Sequence, residues 1–231
     1  MKNINSLISI LAVKKDLKPI GRIECFSQEE SDSAIKKIKE FSLFFKVIDE
    51  SDGTRSNVLK SHIYFAKNKS SREEIDNLIN LYQRENDNHE MFIEANGKMG
   101  QMYGYPKCCT DWFSGFHTNW IDKNKEHKIS FAESSNDLMI LDILNNSKGN
   151  HFDKAVNCCQ NDSPIPHLPH SFKCKKSVNI GRDNLSVLKE YDQEIFSKYE
   201  QYLKSTFRAY KNRIVKIEDN EIKKGDLIFF R

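Results

Sequence analysis

The sequence predicts an α+β protein with an N-terminal β-α-β-β-α layer, a mainly helical middle containing Cys and His residues, a long C-terminal helix and a terminal β-hairpin. Three observations lead to this class. Short apolar runs alternate with capped amphipathic segments before residue 89, helical spacing dominates afterwards, and alternation returns near the C-terminus. Elements in this order pack as separate layers. We therefore expect an N-terminal region at 1–88 and a second region at 89–231, which could form one continuous domain.

The N-terminal region carries signals for three strands and two helices. A Ser-x-x-Glu capping box at Ser27 predicts the first helix, because the serine oxygen accepts a hydrogen bond from the first turn. The next two strands lie on either side of an Asp-Gly turn signal. The predicted strands span 19–26, 43–48 and 62–66, and the predicted helices span 27–41 and 71–84.

Beyond residue 89 the pattern changes to helices separated by loops. Pro106 marks one helix start, because proline is favoured at the first helical position. Three prolines indicate a loop over 157–169. The predicted helices span 90–102, 106 onward, 136–145 and 171–204, and the terminal hairpin pairs 209–217 with 226–230.

Composition indicates a polar globular protein. The 231 residues are 38% hydrophobic and 30% charged, with a formal net charge of +3. No apolar run approaches the roughly 18 residues of a membrane span, and the apolar segment 4–13 lacks the features of a signal peptide. We expect a cytoplasmic protein without a membrane partner. The charge is too small to indicate nucleic acid by itself, so nucleic acid stays an open partner class.

Two segments carry the strongest functional signal, Gly-Tyr-Pro-Lys-Cys-Cys at 104–109 and His-Leu-Pro-His-Ser-Phe-Lys-Cys at 167–174. Each places thiol groups beside a predicted helix start, at Pro106 and at an expected N-cap, Ser171. The unpaired N–H groups of a first helical turn stabilise thiolates. Because the thiolate is both the metal ligand and the nucleophile, this placement suits either chemistry.

Spacing within the second segment favours a metal site. His167, His170 and Cys174 can supply three ligands, and Cys108 or Cys109 the fourth, which is a normal mixed N/S set for zinc. Adjacent side chains on a helix diverge by about 100°. We therefore expect one member of the vicinal pair to be the ligand and the other to be buried or to act as a resolving thiol.

Other residues near the motifs leave alternatives open. Cys158 and Cys159 could complete an iron–sulfur cluster, or they could be incidental. A single iron ion is a further alternative to zinc. Asp111 follows Cys108 by three residues, so it could orient a metal-bound histidine or act as a general base.

The two motifs together resemble an uncharacterised archaeal and bacterial family, a domain of unknown function with Gly-Tyr-Pro-x-Cys-Cys followed by His-x-Pro-Cys-Ser-x-x-Cys and a long helix. The resemblance covers about residues 90–205. His170 stands where that family has cysteine, which keeps a metal ligand and loses a nucleophile. The resemblance thus favours metal binding over an all-cysteine cluster, and it implies no particular reaction.

These observations support three hypotheses. The first is a metal-dependent enzyme that acts on a small-molecule or modified substrate through the Cys/His site. The second is a sulfur-transfer or redox enzyme with Cys108 or Cys109 as nucleophile, Cys109 being the selected catalytic residue, and its neighbour as resolving thiol. The third is a structural-zinc binding module with a basic C-terminal surface. The sequence indicates neither a substrate nor an oligomeric state.

Overall fold

The computed structural model describes residues 4–50, 60–84, 89–124, 139, 142–143, 146–147, 151–157, 163–204, 206–210, 213–216 and 227–230. Contacts divide the chain into two compact units, Met1–Tyr105 and Pro106–Arg231. Both units combine helices with strands, so the α+β class is confirmed.

The first unit contains a three-stranded antiparallel sheet with the strand order β1-β3-β2. The predicted β-α-β-β-α order is present, with one helix before it and one after it. Ser27 caps α2 by accepting a hydrogen bond from the Glu30 N–H, as the capping box predicts. The elements are α1 Ile4–Lys14, β1 Ile20–Cys25, α2 Gln28–Glu40, β2 Phe44–Glu50, β3 Lys60–Ala66, α3 Arg72–Arg84 and α4 His89–Met102.

The central strand β3 divides the core of this unit into two layers. Ile63 and Phe65 are buried in one layer with residues of α1 and α2, and Tyr64 and Ala66 in the other with residues of α3 and α4. This division follows from the alternation of side chains along a strand. Because α4 contributes to the second layer, it belongs to the first unit, whereas the sequence analysis assigned it to the second region.

The second unit combines helices with a four-stranded sheet of order β4-β7-β5-β6. In this sheet β4 runs parallel to β7, and the other neighbours are antiparallel. A one-turn 3₁₀ helix, Lys154–Val156, follows β4. The elements are α5 Lys107–Asn124, β4 His151–Phe152, α6 Lys175–Tyr191, α7 Gln193–Leu203, β5 Thr206–Tyr210, β6 Arg213–Lys216 and β7 Leu227–Phe230.

Two predictions about the second unit were wrong in detail. The predicted helix 171–204 is two helices, because Asp192 is extended and its carboxylate caps α7 by accepting from the N–H groups of Glu194 and Ile195.

The C-terminal strands do not form the predicted two-stranded hairpin of 209–217 with 226–230. β5 pairs with β6 on one edge and with β7 on the other, so the segment 209–217 contributes to two strands.

A small apolar cluster forms the core beside the motif segments. Ile143, Phe152, Val156, Ile165 and Phe172 are buried together. Ile143 belongs to the predicted helix 136–145, of which only Met139, Asp142 and Ile143 are described, and all three are helical. No helix within the described ranges combines the length and apolarity needed to cross a membrane.

Candidate metal centre

The start of α5 presents Cys108 and Cys109. The Pro106 carbonyl accepts hydrogen bonds from the N–H groups of Cys109 and Thr110, at 2.8 and 3.1 Å, so the helix begins within one residue of the predicted start. Both cysteines therefore lie in the first turn of α5, at the positive end of the helix dipole.

The segment before α6 is held by a short helical turn at residues 146–147. Asn146 donates its side-chain amide to the His170 carbonyl at 3.3 Å. The Phe172 N–H donates to the buried Ser147 hydroxyl at 2.8 Å, and that hydroxyl donates to the Ile143 carbonyl. These bonds fix the backbone on both sides of Ser171.

The expected N-cap at Ser171 was wrong, because α6 begins later. The Ser171 hydroxyl accepts from the Lys173 N–H at 3.1 Å and lies 3.2 Å from the Ser147 hydroxyl. Cys174 is the N-cap residue, and its own N–H donates to the Ser171 carbonyl at 2.9 Å. The Cys174 side chain is thus placed at the N-terminus of α6.

Four side chains from these segments converge on one point. One ligand atom from each of Cys108, Cys109, His170 and Cys174 lies within 4.8 Å of every other. The Cys174 sulfur is 3.8 Å from the sulfurs of both Cys108 and Cys109, and the Cys109 sulfur is 3.5 Å from Nδ1 of His170. Both vicinal cysteines therefore belong to the group, because the Cys174 sulfur is equally close to both of them. The divergence of adjacent side chains on a helix predicts only one ligand from this pair.

The three separations of 3.8, 3.8 and 3.5 Å match the distances between ligands around one metal ion, and the remaining three are within 4.8 Å. Zinc with Zn–S bonds of about 2.3 Å and Zn–N bonds of about 2.0–2.1 Å gives tetrahedral edges of about 3.8 Å between sulfurs and about 3.5 Å between sulfur and nitrogen. An iron–sulfur cluster places several irons and sulfides between its thiolates, so its ligands lie further apart. The four side chains could therefore hold a single ion.

The four candidate ligands differ in exposure. Cys109 and Cys174 are 2% and 6% exposed, and His170 is partly buried. Cys108 is exposed. Cys108 is thus the least buried residue of the group, and its contact with the Cys174 sulfur is partly buried.

The pKa values of the two buried thiols, Cys109 and Cys174, shift in opposite directions. Burial raises the pKa of Cys109 to about 12, although hydrogen bonding to Ser177 and His170 lowers it in part. Burial also raises the pKa of Cys174, but hydrogen bonds from Ser177, Cys109 and Cys108 outweigh it, so the pKa falls below its usual value.

No family model, curated protein or solved structure matches this chain. The motif resemblance is not tested by that result and stays a prediction. Function must therefore be argued from the chemistry of the site itself.

His167 lies outside the group of four but is linked to it through Ser177. Nε2 of His167 is 2.9 Å from the Ser177 hydroxyl, which lies 3.3 Å from the Cys109 sulfur. Ser177 is not among the site residues predicted from the sequence. Its position three residues after Cys174, in the first turn of α6, is the signal that could have identified it.

The remaining predicted site residues lie elsewhere or are not described. Asp111 is exposed, and both of its carboxylate oxygens accept from the Lys107 ammonium group, at 2.8 and 2.7 Å. Asp142, which the sequence analysis did not select, accepts a 2.7 Å hydrogen bond from the Trp112 indole. Cys158 and Cys159 lie outside the described residues.

Replacing His167 by glutamine should make the protein less sensitive to acid. Burial lowers the pKa of His167 to about 4, so the folded state binds the proton less tightly than the unfolded state. The resulting stability is present above pH 6.5 and is lost as the pH falls through 4, by up to about 3 kcal/mol. Unfolding by denaturant at several pH values measures this loss.

Glutamine keeps a donor for Ser177 but does not titrate. Acid also removes any bound metal, but it does so in both proteins, so the difference between their pH profiles isolates His167. Identical profiles for the two proteins between pH 6.5 and 4 would contradict this account.

Proposed function

We propose that this chain is a zinc protein in which Cys108, Cys109, His170 and Cys174 hold one ion in a closed, four-ligand centre. The observation that carries the proposal is the agreement of three ligand separations with the edges of a zinc tetrahedron. Four protein ligands leave no position for water, which is the arrangement of structural zinc sites.

The ion would join two distant parts of the second unit. Cys108 and Cys174 are 66 residues apart in sequence, and each lies at a helix start. Three thiolates and one divalent ion carry a net charge of about −1, which the positive ends of α5 and α6 stabilise. Zinc binding energy would then become folding energy for this unit.

Ser177 and His167 would support the centre without touching the ion. A thiolate sulfur can only accept, so the Ser177 hydroxyl, whose oxygen lies 3.3 Å from the Cys109 sulfur, would donate its single proton to a thiolate of the centre. The Ser177 oxygen must then accept from His167, which requires a proton on Nε2. The low pKa of His167 keeps the ring neutral, so one nitrogen carries a proton, and the hydrogen bond to Ser177 would place that proton on Nε2. Such hydrogen bonds orient a ligand and tune its basicity.

A metal-dependent enzyme is the second candidate, and the exposure of Cys108 favours it. If a small-molecule substrate displaced this one sulfur, the ion would keep Cys109, His170 and Cys174 and gain an open position. The ion would then act as a Lewis acid on the bound group. Two cysteines and one histidine form a known catalytic ligand set for zinc.

Metal analysis of the full chain, purified under anaerobic conditions, tests the proposal. We expect one zinc per chain, without the visible absorption of an iron–sulfur cluster. X-ray absorption should find three sulfurs at about 2.3 Å and one nitrogen at about 2.0–2.1 Å. Cys25→Ser, which changes a buried cysteine in the first unit, should keep the full zinc content.

Each other outcome decides between the candidates. A folded, metal-free protein that does not take up added zinc would overturn the proposal. A stoichiometric ion with a water ligand in place of one sulfur would favour the enzyme over the closed centre. Iron together with acid-labile sulfide would contradict both candidates and indicate an iron–sulfur cluster protein.

A further inference from the structure

The four-ligand group contains a pair of sulfurs that differ in their access to solvent. Cys108 is exposed, whereas Cys174 is 6% exposed, and their sulfurs are 3.8 Å apart. A disulfide bond requires about 2.05 Å between sulfurs. The two sulfurs would therefore have to approach each other by about 1.8 Å, by rotation of the Cys108 side chain.

We propose that the centre is a peroxide-sensitive switch, in which oxidation joins Cys108 to Cys174 and releases the zinc. This inference rests on the proposed function, because the ion to be released is the one held by the four ligands. Oxidation would remove two of the ligands at once. Cys109 and His170 would remain, and two ligands do not complete a zinc site.

The structure distinguishes this pair from the equally close pair of Cys109 and Cys174. Their sulfurs are also 3.8 Å apart, but both residues are buried, and the Cys109 sulfur contacts Ser177 and His170. An oxidant arriving from solvent therefore meets Cys108 first. Susceptibility of a thiolate to oxidation follows its exposure, and a neighbouring cysteine resolves the first product.

The reaction consumes one hydrogen peroxide for each disulfide. The Cys108 sulfur attacks one peroxide oxygen, the O–O bond breaks, and the departing hydroxide takes a proton from solvent to become water. The Cys174 sulfur then attacks the sulfenic acid at Cys108, the S–S bond forms, and the S–O bond breaks to release hydroxide, which is also protonated. Two thiolates lose two electrons, and the peroxide is reduced to two waters.

The new bond would also replace the metal as the link between α5 and α6. Cys108 and Cys174 are 66 positions apart in the sequence, and a disulfide that closes a long loop restricts the unfolded chain strongly. The oxidised, zinc-free protein should therefore unfold at a higher temperature than the reduced protein after treatment with a chelator.

The experiment treats the reduced, zinc-loaded full chain with hydrogen peroxide. A chromophoric chelator follows zinc release, and peptide mapping by mass spectrometry identifies the bonded cysteines. We expect release of one zinc with a Cys108–Cys174 disulfide, and both changes should reverse after a thiol reductant and added zinc. Zinc content measured before peroxide is added tests the proposed function separately. A reduced protein that holds no zinc would contradict the proposed zinc centre itself.

Variants assign the effect to the proposed pair. Cys25→Ser and the double variant Cys158→Ser, Cys159→Ser should release zinc as the wild type does. Any zinc that Cys108→Ser retains should no longer be released by peroxide. If Cys108→Ser binds no zinc, the disulfide map of the oxidised wild type still tests whether Cys108 is bonded to Cys174. Zinc that stays bound under peroxide, or release with a different disulfide or with none, would overturn the switch.

Discussion

Replacing Cys174 by serine should abolish zinc binding and reduce the stability of the second unit by about 4 kcal/mol, for free zinc at 1,000 times its dissociation constant. The Cys174 sulfur lies 3.8 Å from the sulfurs of both Cys108 and Cys109. Without it, the proposed centre keeps only three of its four ligands. Serine is similar in size and is a favoured N-cap residue. The change therefore leaves little cavity and keeps the start of α6. The loss of stability then measures the contribution of the metal.

Calorimetry and zinc analysis of the variant, with and without added zinc, measure this effect. Cys25→Ser provides the matched control, since Cys25 is also buried but lies in a strand of the first unit. The wild type treated with a chelator should unfold at the same temperature as Cys174→Ser. A variant that loses zinc but keeps the stability of the loaded wild type would contradict a structural role and favour the enzyme.

Local signals predicted the first unit well. The capping box at Ser27 and the alternating residues of the strands act over a few residues, so sequence alone identifies them. The break at Asp192 has a local signal too, but the apolar stripe continues on both sides of it: Leu188 and Tyr199 are both buried. A continuous stripe thus predicted one helix where the structure has two.

The candidate site was predicted as a set of residue types and not as an arrangement. Cys108, Cys109, His170 and Cys174 were all selected from the sequence, because clustered thiols and imidazoles beside helix starts have few other uses. Which histidine joins them depends on the backbone path of the proline-containing loop, and no local rule gives that path. The structure places His170 in the group and links His167 to Ser177.

Replacing Gly181 by alanine should destabilise the second unit by about 2 kcal/mol and weaken zinc binding. A Cβ atom at Gly181 would lie 2.0 Å from the Ala155 carbonyl oxygen and 3.0 Å from the Ala155 Cβ. Ala155 is fully buried in the 3₁₀ helix, and its N–H donates to the Asp153 carboxylate, so it cannot move aside easily. Overpacking of this kind typically costs about 1–3 kcal/mol.

The effect should reach the metal because Gly181 lies on the helix that begins at Cys174 and carries Ser177. If α6 moves away from Ala155, the Cys174 sulfur moves with it. Gly115→Ala is the matched control: it is also helical and in the same unit, but no neighbouring atom lies within 4 Å of its added Cβ. Alanine there should stabilise the helix by about 0.5–1 kcal/mol. Denaturant unfolding and chelator competition measure both variants, and equal results for the two would contradict the close packing of α6 on Ala155.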